Sequence, residues 1–403
     1  MRARVAALAG TGALALAACA GTTTTVPEDV PPPAASAPSV GMAPGTAAAP
    51  YQAQVKPDAP DPIWVRIHKM TLINKVRQLV VPSFSGTQAP TGLVETMHPG
   101  GLIYFGGNLT SQAQTRALSG QIQHAAFGRT LPLLIMTDQE GGIVTRIPGT
   151  EGTPGGAEFH GNAVWAHNTA VRTGRLMSRL GVSTNLAPVA DVNTAGAGGV
   201  IGSRSFGSTP GVVSRLTTAQ VCGYHTGGVA TTVKHFPGHG STNTDSHLHT
   251  AVIHESVATW TATDLPPFQA AVRDGVDMIL VGHLAFPAMD PTGRPATISW
   301  RLNHVLLRER LGFQGVVITD ALNMGGITSW GTPGEIAVRT IRSGSDMLLM
   351  PPEPTVAIHS IIAAVQHGEI NQGRLDMSVY RVLTLKQTLG LLRPAKALSH
   401  CGS

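Results

Sequence analysis

Cysteine is scarce in this chain. Only Cys19, Cys222 and Cys401 occur among the 403 residues. Three cysteines cannot build a disulfide-dense scaffold, and their wide spacing excludes a cysteine-based metal site. A single bridge between Cys222 and Cys401 stays open for an exported protein.

Aromatic residues and charges are also sparse. Phe, Trp and Tyr make up 4% of the sequence and charged residues 13%, and the net charge is +5 with an isoelectric point of about 9.4. The lysines and arginines do not cluster, so the sequence offers no basic stripe for nucleic acid. We therefore expect no nucleic-acid partner, and at most a mild attraction to anionic wall polymers or lipid headgroups.

Long apolar runs are missing as well, and this decides how the N-terminus is interpreted. Met1–Arg4 is basic, and the apolar stretch Val5–Ala15 is too short to span a bilayer. Leu16–Cys19 then supplies the small residues that are typical of a cleavage site. Residues 1–18 are therefore predicted to be a signal peptide, and we expect the protein to be exported.

Leu16–Cys19 also resembles a bacterial lipobox, in which cleavage before the cysteine leaves a thiol that becomes diacylated. This resemblance predicts lipidation of Cys19, and with it a membrane anchor at the outer face of the cytoplasmic membrane or in the cell envelope. A plain secretory signal followed by an incidental cysteine is the alternative. Residues 19–62, rich in Ala, Pro, Thr and Ser, are predicted to be a disordered tether. The folded domain is expected at 63–395, with a tail at 396–403.

Eight short apolar runs recur along the domain, and helical periodicity follows several of them. Continuous apolar runs are typical of parallel strands that are buried on both faces. Eight such units predict an α/β fold, a single (β/α)₈ TIM-type barrel with room for irregular strands, and a doubly wound open sheet is the alternative. The runs are Leu79–Val81, Gly101–Phe105, Leu131–Thr137, Thr184–Val192, Ala230–His235, Met278–Gly282, Val316–Thr319 and Asp346–Met350.

Polar side chains follow five of these runs. In a barrel, the carboxyl ends of the strands form one mouth, so side chains that are far apart in sequence converge there. We therefore expect the chemistry at this mouth. The residues are Asp138 and Glu140 after the third run, Asp191 and Asn193 at the fourth, Lys234 and His235 at the fifth, His283 at the sixth and Asp320 at the seventh.

Residues 234–247 hold the densest group of candidates. The segment Lys234-His-Phe-Pro-Gly-His-Gly240 places a lysine and two histidines at a strand end, where they can hold hydroxyls and carbonyls. Asp245 and His247 are two residues apart, so the carboxylate can orient the imidazole for proton transfer near neutral pH. The alternative is a metal site built from the histidines of this region. Those histidines are His235, His239, His247 and His249.

Two further segments deliver carboxylates to the mouth. Asp320 ends an apolar strand, where it can attack an anomeric carbon or stabilise positive charge on it. An N-cap of the next helix is the alternative role for Asp320. Asp138 and Glu140, followed by Arg146, pair acids with a guanidinium, a common way to hold sugar hydroxyls. A magnesium site at Asp138 and Glu140 is the competing interpretation.

Together these segments resemble the bacterial β-N-acetylhexosaminidases of glycoside hydrolase family 3, specifically the lipoprotein type of actinobacteria. The resemblance runs from about Val76 to Gly390. Six motifs occur in the family's order, which is far more specific than any one of them. They are Asp138-Gln-Glu-Gly-Gly with Arg146, Ala187-Pro-Val189 with Asp191-Val192, Ile201-Gly-Ser-Arg-Ser-Phe-Gly207, Lys234-His-Phe-Pro-Gly-His-Gly240, Asp245-Ser-His247 and Ile318-Thr-Asp320.

The resemblance implies a role for each matching residue. Asp320 matches the nucleophile that forms a glycosyl-enzyme intermediate, and His247 matches the general acid/base, assisted by Asp245. It also implies that no metal or other cofactor is needed. The positions that match residues holding the N-acetylglucosamine ring are Asp138, Arg146, Arg204, Lys234 and His235.

The activity implied is that of a retaining exo-β-N-acetylglucosaminidase acting on peptidoglycan-derived fragments in cell-wall turnover.

Ser203 departs from the family pattern, since many members have Asp beside the sugar-binding Arg204. A histidine acid/base leaves less negative charge facing an incoming anion than a carboxylate would, so phosphorolysis is a side hypothesis. A β-glucosidase and a non-catalytic lipid-anchored sugar-binding protein stay open as competing functions. No second α/β sandwich domain is recognisable after residue 390, which favours the hexosaminidase branch.

Overall fold

Parallel strands alternating with helices organise the chain from residue 61 to residue 393, the part that the computed structural model describes. The predicted signal peptide, Cys19, nearly all of the tether, Cys401 and the tail at 396–403 lie outside these residues. The strands are β1 (Val80–Val81), β2 (Gly101–Tyr104), β3 (Leu134–Thr137), β4 (Thr184–Asn185), β5 (Ala230–Phe236), β6 (Ala251–Val252), β7 (Met278–Val281), β8 (Leu284–Ala285), β9 (Val316–Thr319) and β10 (Leu348–Leu349).

Helices separate the strands and are fixed by local sequence signals. α10, for example, begins at a capping box in which Thr332 and Glu335 exchange hydrogen bonds around Pro333. The helices are α1 (Pro62–Lys69), α2 (Leu72–Arg77), α3 (Thr91–Met97), α4 (Gln112–Ala126), α5 (Ala163–Arg179), α6 (Pro210–Thr226), α7 (Val257–Thr263), α8 (Leu265–Arg273), α9 (Gly325–Thr328), α10 (Pro333–Ser343), α11 (Pro354–Gln366), α12 (Gln372–Thr388) and a π-helix at Arg301–Arg310.

The parallel sheet has six strands in the order β2-β3-β4-β5-β7-β9, and β1 pairs with β10 in a second parallel ladder. A strand therefore occurs within each of the eight predicted runs, and the predicted α/β class with parallel strands is confirmed. The fourth run is shorter than expected. It is a strand only at Thr184–Asn185, because Pro188 has no N–H to donate to a ladder.

Both faces of the main strands are buried, as their continuous apolar sequences predicted. Every residue of β2, β3, β5, β7 and β9 is buried. The outward side chains pack against the helices, so the helices cover the sheet. Polar groups can therefore gather only at the amino ends or the carboxyl ends of the strands.

Two further observations concern membrane-spanning helices and the cysteines. Among the described helices, none combines the length and the apolar character needed to cross a membrane. Cys222, on α6, is disulfide-bonded. Cys401, the partner that the sequence left open, lies outside the described residues.

Candidate active site

The predicted mouth gathers charged side chains from several strands. Asp138 and Glu140 follow β3, Lys234 and His235 lie near the end of β5, and Asp320 follows β9. Because β3, β4 and β5 are parallel and paired in register, their carboxyl ends lie side by side. The residues that the sequence placed at strand ends thus do come together.

Glu140 is the centre of a buried ion network. Arg204 donates to it twice, from Nε to Oε2 and from Nη2 to Oε1, both at 2.8 Å. The Lys234 Nζ lies 2.7 Å from Glu140 Oε1 and 2.6 Å from Asp138 Oδ1. The bidentate pair fixes the plane of the guanidinium, and the ammonium bridges the two acids. Two predicted sugar-binding residues, Lys234 and Asp138, are therefore in direct contact.

Glu140, Lys234 and Arg204 of this network are charged at neutral pH. Burial alone would raise the pKa of Glu140, but the charges and hydrogen bonds of Lys234 and Arg204 lower it well below its usual range. Burial alone would lower the pKa of Lys234, and the carboxylates of Asp138 and Glu140 outweigh it. The side chains of Asp138 and Arg204 are 21% and 17% exposed, so these two present the network to a ligand.

Asp191 is a fully buried carboxylate that orients two histidines. Its Oδ2 accepts from Nδ1 of His235 at 2.7 Å, and its Oδ1 accepts the backbone N–H groups of His235 and His239 at 3.2 and 2.8 Å. The Nε2 of His235 then faces Nη2 of Arg204 at 3.4 Å. The contact with the Asp191 carboxylate fixes the orientation of the His235 ring beside the guanidinium.

Asp320 is held by backbone at the exit of β9. Its N–H donates to the Val281 carbonyl at 2.9 Å, and its Oδ1 accepts the Ala321 N–H at 2.8 Å. Burial alone would raise the pKa of Asp320, but His283, His235, the Ala321 N–H and Lys234 lower it. The carboxyl group is therefore ionised at neutral pH, as a nucleophile must be. The alternative helix-capping role receives no support, since the carboxylate accepts from the next residue and not from the first turn of α9.

His283 supports the backbone next to Asp320. It is fully buried, and its Nε2 donates to the Ala321 carbonyl at 2.9 Å while its Nδ1 lies 2.7 Å from Thr297 Oγ1. Burial lowers the pKa of His283, which keeps the ring neutral despite the nearby carboxylate of Asp320. The Ala321 carbonyl can only accept, so Nε2 carries a ring proton, and the Thr297 hydroxyl lies between Nδ1 and the Gly282 carbonyl, which is 3.1 Å from it.

The predicted dyad lies on a loop between β5 and β6. His247 Nδ1 lies 2.8 Å from Asp245 Oδ1, and the same oxygen accepts the His247 backbone N–H at 2.9 Å. These contacts confirm the expected pairing. The two side chains are 66% and 45% exposed, unlike the rest of the site. Burial alone would raise the pKa of Asp245, but the backbone and side-chain hydrogen bonds of His247 together outweigh it and lower the pKa, so the acid stays ionised at neutral pH.

The loop of the dyad is anchored beside the exit of β9. Gly325 and Gly326, at the start of α9, donate to the carbonyls of His247 and Ser246 at 2.8 and 3.1 Å. A Cβ at Gly325 would meet the Leu248 carbonyl oxygen at 2.2 Å, so only glycine permits this approach. Asp320 lies only a few residues before α9, so the loop is attached to the segment that follows the candidate nucleophile.

Arg146 offers a guanidinium to the mouth. Its backbone N–H donates to Gln139 Oε1 at 2.8 Å, and its side chain passes Gly106, just beyond β2. Within residues 61–393 it makes no ion pair, and its Nε is buried without a protein partner. Ser203, the departure from the family pattern, precedes Arg204 in a short 3₁₀ turn, and Arg204 nevertheless keeps its bidentate contact with Glu140.

The contacts argue against both metal alternatives. The ammonium of Lys234 lies between Asp138 and Glu140, where the magnesium hypothesis would put the cation. His235 uses one ring nitrogen for Asp191 and turns the other to a guanidinium. Across the described part of the chain, no group of three or more His, Cys, Asp or Glu side chains has the arrangement of a metal site.

Asp191 and His283 had no role that the sequence alone could assign, and Glu140, expected to hold sugar hydroxyls beside Asp138, instead binds Arg204 and Lys234. Each follows or ends a predicted strand, and that position was the available signal. Their partners were not foreseeable, because the contacts of Glu140 with Arg204 and of Asp191 with His235 span 64 and 44 positions.

The chain matches the model for the glycosyl hydrolase family 3 N-terminal domain over residues 71–385, which includes every element of this site. This chain belongs to glycosyl hydrolase family 3. The family 3 chain is 34% identical over 334 residues to "Beta-hexosaminidase A" of Pseudoalteromonas piscicida, covering 74% of this chain and 54% of that protein. It is 35% identical over 287 residues to "Beta-hexosaminidase" of Stenotrophomonas maltophilia, covering 68% and 82%.

Among solved structures, the family 3 chain is similar to a β-N-acetylglucosaminidase of glycoside hydrolase family 3 from Paenibacillus sp.. The TM-score is 0.77 at 39% identity, covering 82% of this chain and 65% of that one. The chain thus spans about half of the Pseudoalteromonas protein and two thirds of the Paenibacillus chain. The resemblance to family 3 that the motifs indicated is confirmed.

Proposed function

We propose that this chain is a retaining exo-β-N-acetylglucosaminidase, with Asp320 as nucleophile and His247 as acid/base. The observation that carries the proposal is the pairing of an ionised, backbone-held carboxylate at the mouth with an exposed Asp–His dyad whose loop is bonded to the segment after that carboxylate. The printed names of the relatives support hexosaminides as the substrate class.

The reaction would proceed in two balanced steps. An oxygen of Asp320 attacks C1 of the sugar, the bond from C1 to the glycosidic oxygen breaks, and His247 gives its proton to the departing oxygen. In the second step His247 takes a proton from water, the resulting hydroxide oxygen bonds to C1, and the Asp320 carboxylate leaves. Asp245 keeps the imidazole oriented and stabilises its charged form.

The buried network would supply the sugar contacts. Asp138 and Arg204 reach the surface of the mouth, Lys234 holds them in place from below, and Arg146 brings a further cation. Fixed donors and acceptors of this kind hold hydroxyls without reorganisation when the substrate binds. His235, oriented by Asp191, completes the set.

We further infer that eight strands, the six of the main sheet together with β1 and β10, close into a (β/α)₈ barrel. The backbone N–H of Gly100 donates to the Val80 carbonyl at 3.0 Å, and that of Thr319 donates to the Met347 carbonyl at 3.1 Å. These bonds link each end of the six-stranded sheet to the β1–β10 pair, and they support closure.

The physiological part of the proposal concerns cell-wall turnover. We propose that the protein is exported, anchored through a lipid at Cys19, and acts on terminal N-acetylglucosamine of peptidoglycan fragments. The signal-like and lipobox-like N-terminus supports this placement. Globomycin treatment, which blocks lipoprotein signal processing, should leave a larger, unprocessed chain; an unchanged size would contradict lipidation.

Hydrolysis of 4-nitrophenyl β-N-acetylglucosaminide tests the activity. The wild-type chain should release nitrophenol, the isosteric Asp320→Asn variant should not, and a slow fluorinated glycoside should add its sugar mass to Asp320. Wild-type turnover that persists in Asp320→Asn would contradict the nucleophile assignment. Equal turnover of the β-glucoside would favour a β-glucosidase, and a folded but inactive wild type would favour a sugar-binding protein.

Product analysis tests the substrate and the acceptor. Mass spectrometry of reactions with purified muropeptides and with chitobiose should show loss of one terminal N-acetylglucosamine. The same reactions with inorganic phosphate distinguish hydrolysis from phosphorolysis, because only phosphorolysis yields the sugar 1-phosphate. A chelator that abolishes activity, with recovery on adding zinc, would contradict the metal-free mechanism.

A further inference from the structure

A cavity of about 630 Å³ opens at the edge of the sheet opposite to the mouth. Its walls include Gln78 just before β1, His98 before β2, and Thr130 before β3. Because the strands are parallel, the residues that precede them lie at the amino-end edge, far from the carboxyl ends that carry the candidate active site. None of the residues that line the cavity is acidic.

Three cations surround this cavity without a counterion. Arg66, Lys69 and Arg129 line it, are exposed, and form no ion pair within the part of the chain that the structure describes. Two acids close to α1 are occupied: Asp61, its N-cap, accepts from Ile63 and Tyr380, and Asp376, on the adjoining α12, pairs with Lys75. Two cations of the mouth, Lys234 and Arg204, are by contrast paired with Glu140 and Asp138.

Local helix electrostatics explain only part of this pattern. Arg66 and Lys69 lie in the last turn of α1, where the negative end of the helix favours cations. Arg129 lies beyond the end of α4 and comes to the same cavity from another element. The convergence of cations from two elements on one acid-free cavity is what indicates an anionic ligand.

An exposed aromatic side chain distinguishes a membrane from a dissolved anion. Phe127 is 84% exposed, the largest value among the exposed large hydrophobic residues of the described chain, and it lies two residues before Arg129. An apolar ring beside cations is typical of surfaces that enter the interfacial layer of a bilayer. A small-anion site would need no such ring.

We propose that this amino-end face, defined by Arg66, Lys69, Phe127 and Arg129, docks on an anionic phospholipid membrane. The three cations bind headgroup phosphates at the cavity, and Phe127 enters the interfacial layer. The mouth lies at the other edge of the sheet, so docking turns it away from the bilayer. The chain also enters the described domain through α1, at this same face.

Vesicle binding tests the proposal with the full chain carrying Cys19→Ser, so that no acyl anchor is attached. We expect co-sedimentation with vesicles of phosphatidylglycerol and phosphatidylcholine, and much weaker binding to pure phosphatidylcholine. Each cation near an anionic surface strengthens binding by about fivefold. Combined Arg66→Glu, Lys69→Glu and Arg129→Glu should weaken it by about 100-fold or more, and Phe127→Ser by about tenfold.

A charge-matched variant separates this face from net charge. Combined Arg116→Glu, Arg172→Glu and Arg301→Glu reverses three exposed cations elsewhere on the domain and should weaken binding by less than about fivefold. Glycosidase turnover of all variants should match wild type, because none of these residues is in the mouth, and thermal unfolding checks that each variant is folded at the assay temperature. Equal losses in the two triple variants, equal binding to both vesicle types, or phosphate binding without vesicle binding would each overturn the proposal.

Discussion

The candidate active site has two halves, the buried ion network and the exposed dyad, and they differ in how the fold holds them. Glu140 and Lys234 are 5% and 3% exposed and are fixed by several charged contacts. His247 and Asp245 are 66% and 45% exposed and are attached mainly through the backbone of their loop. In the proposed mechanism, sugar binding would therefore share its buried contacts with fold stability, whereas proton transfer would depend on exposed groups.

The largest effect is expected where binding and stability coincide. Glu140→Ala leaves Lys234 and Arg204 buried without their common carboxylate, and breaking a buried ion pair in this way costs about 3–5 kcal/mol. Both the free energy of unfolding in urea and the turnover should therefore fall. A Glu140→Ala variant that loses turnover but keeps wild-type stability would show that the fold does not need Glu140, and it would contradict the difference between the two halves.

His247→Ala should show the opposite behaviour. Removing a positioned acid/base typically lowers kcat by about 10²–10⁴-fold, while an exposed side chain changes the free energy of unfolding by only about 0.5 kcal/mol or less. His249→Ala removes a second exposed histidine from the same loop and should keep kcat within about threefold of wild type. Equal losses in both variants would mean that the loop, and not His247, is what matters.

The pH dependence of turnover on the acid side tests the dyad separately from the buried ion network. Hydrogen bonds from His247 outweigh burial and lower the pKa of Asp245, so this carboxylate is protonated only at a pH below the ordinary pKa of an aspartate. Asp245→Asn removes this anion and should reduce kcat at every pH, without reducing stability. Turnover of Asp245→Asn equal to that of wild type would remove Asp245 from the mechanism.

Much of the architecture was predictable because it depends on local patterns. Continuous apolar runs indicated every strand except the short β6 and β8, and the two-residue spacing of Asp245 and His247 indicated their contact. The π-helix at Arg301–Arg310 gave no such signal, since its apolar positions are compatible with an ordinary helix. The fourth strand is short because Pro188 interrupts the ladder, an effect that the apolar pattern alone does not reveal.

The sequence predicted which residues lie near one another at the mouth, but not which of them are in contact. The position of Glu140 after β3 indicated the mouth, but its bidentate partner comes from a turn 64 residues later. Which charges meet is set by the register of neighbouring strands and by loop paths. The amino-end face shows the same limit, because Arg66 and Arg129 belong to segments that are separate in sequence and meet through packing.

The last expected effect is on stability alone and concerns a buried acid beneath the ion network of the site. Asp264 lies against Gly238, in the segment between His235 and His239: a Cβ on Gly238 would be 2.5 Å from Asp264 Oδ1. Burial and the neighbouring Glu255 raise the pKa of Asp264 to about 8. Between pH 4 and 8 the folded chain therefore holds a proton here that the unfolded chain releases.

The sign of the resulting pH dependence is fixed by this proton. The contribution of Asp264 to stability is full below its unfolded pKa and declines as the pH rises towards 8, by up to about 1.4 kcal/mol per pH unit. Asp264→Asn cannot ionise, so its free energy of unfolding should gain on that of wild type from pH 5 to pH 8. Urea unfolding across this range measures the difference. Glu95→Gln, which removes an exposed carboxylate on α3, should run parallel to wild type, and a parallel curve for Asp264→Asn as well would show that no proton is held beneath this segment.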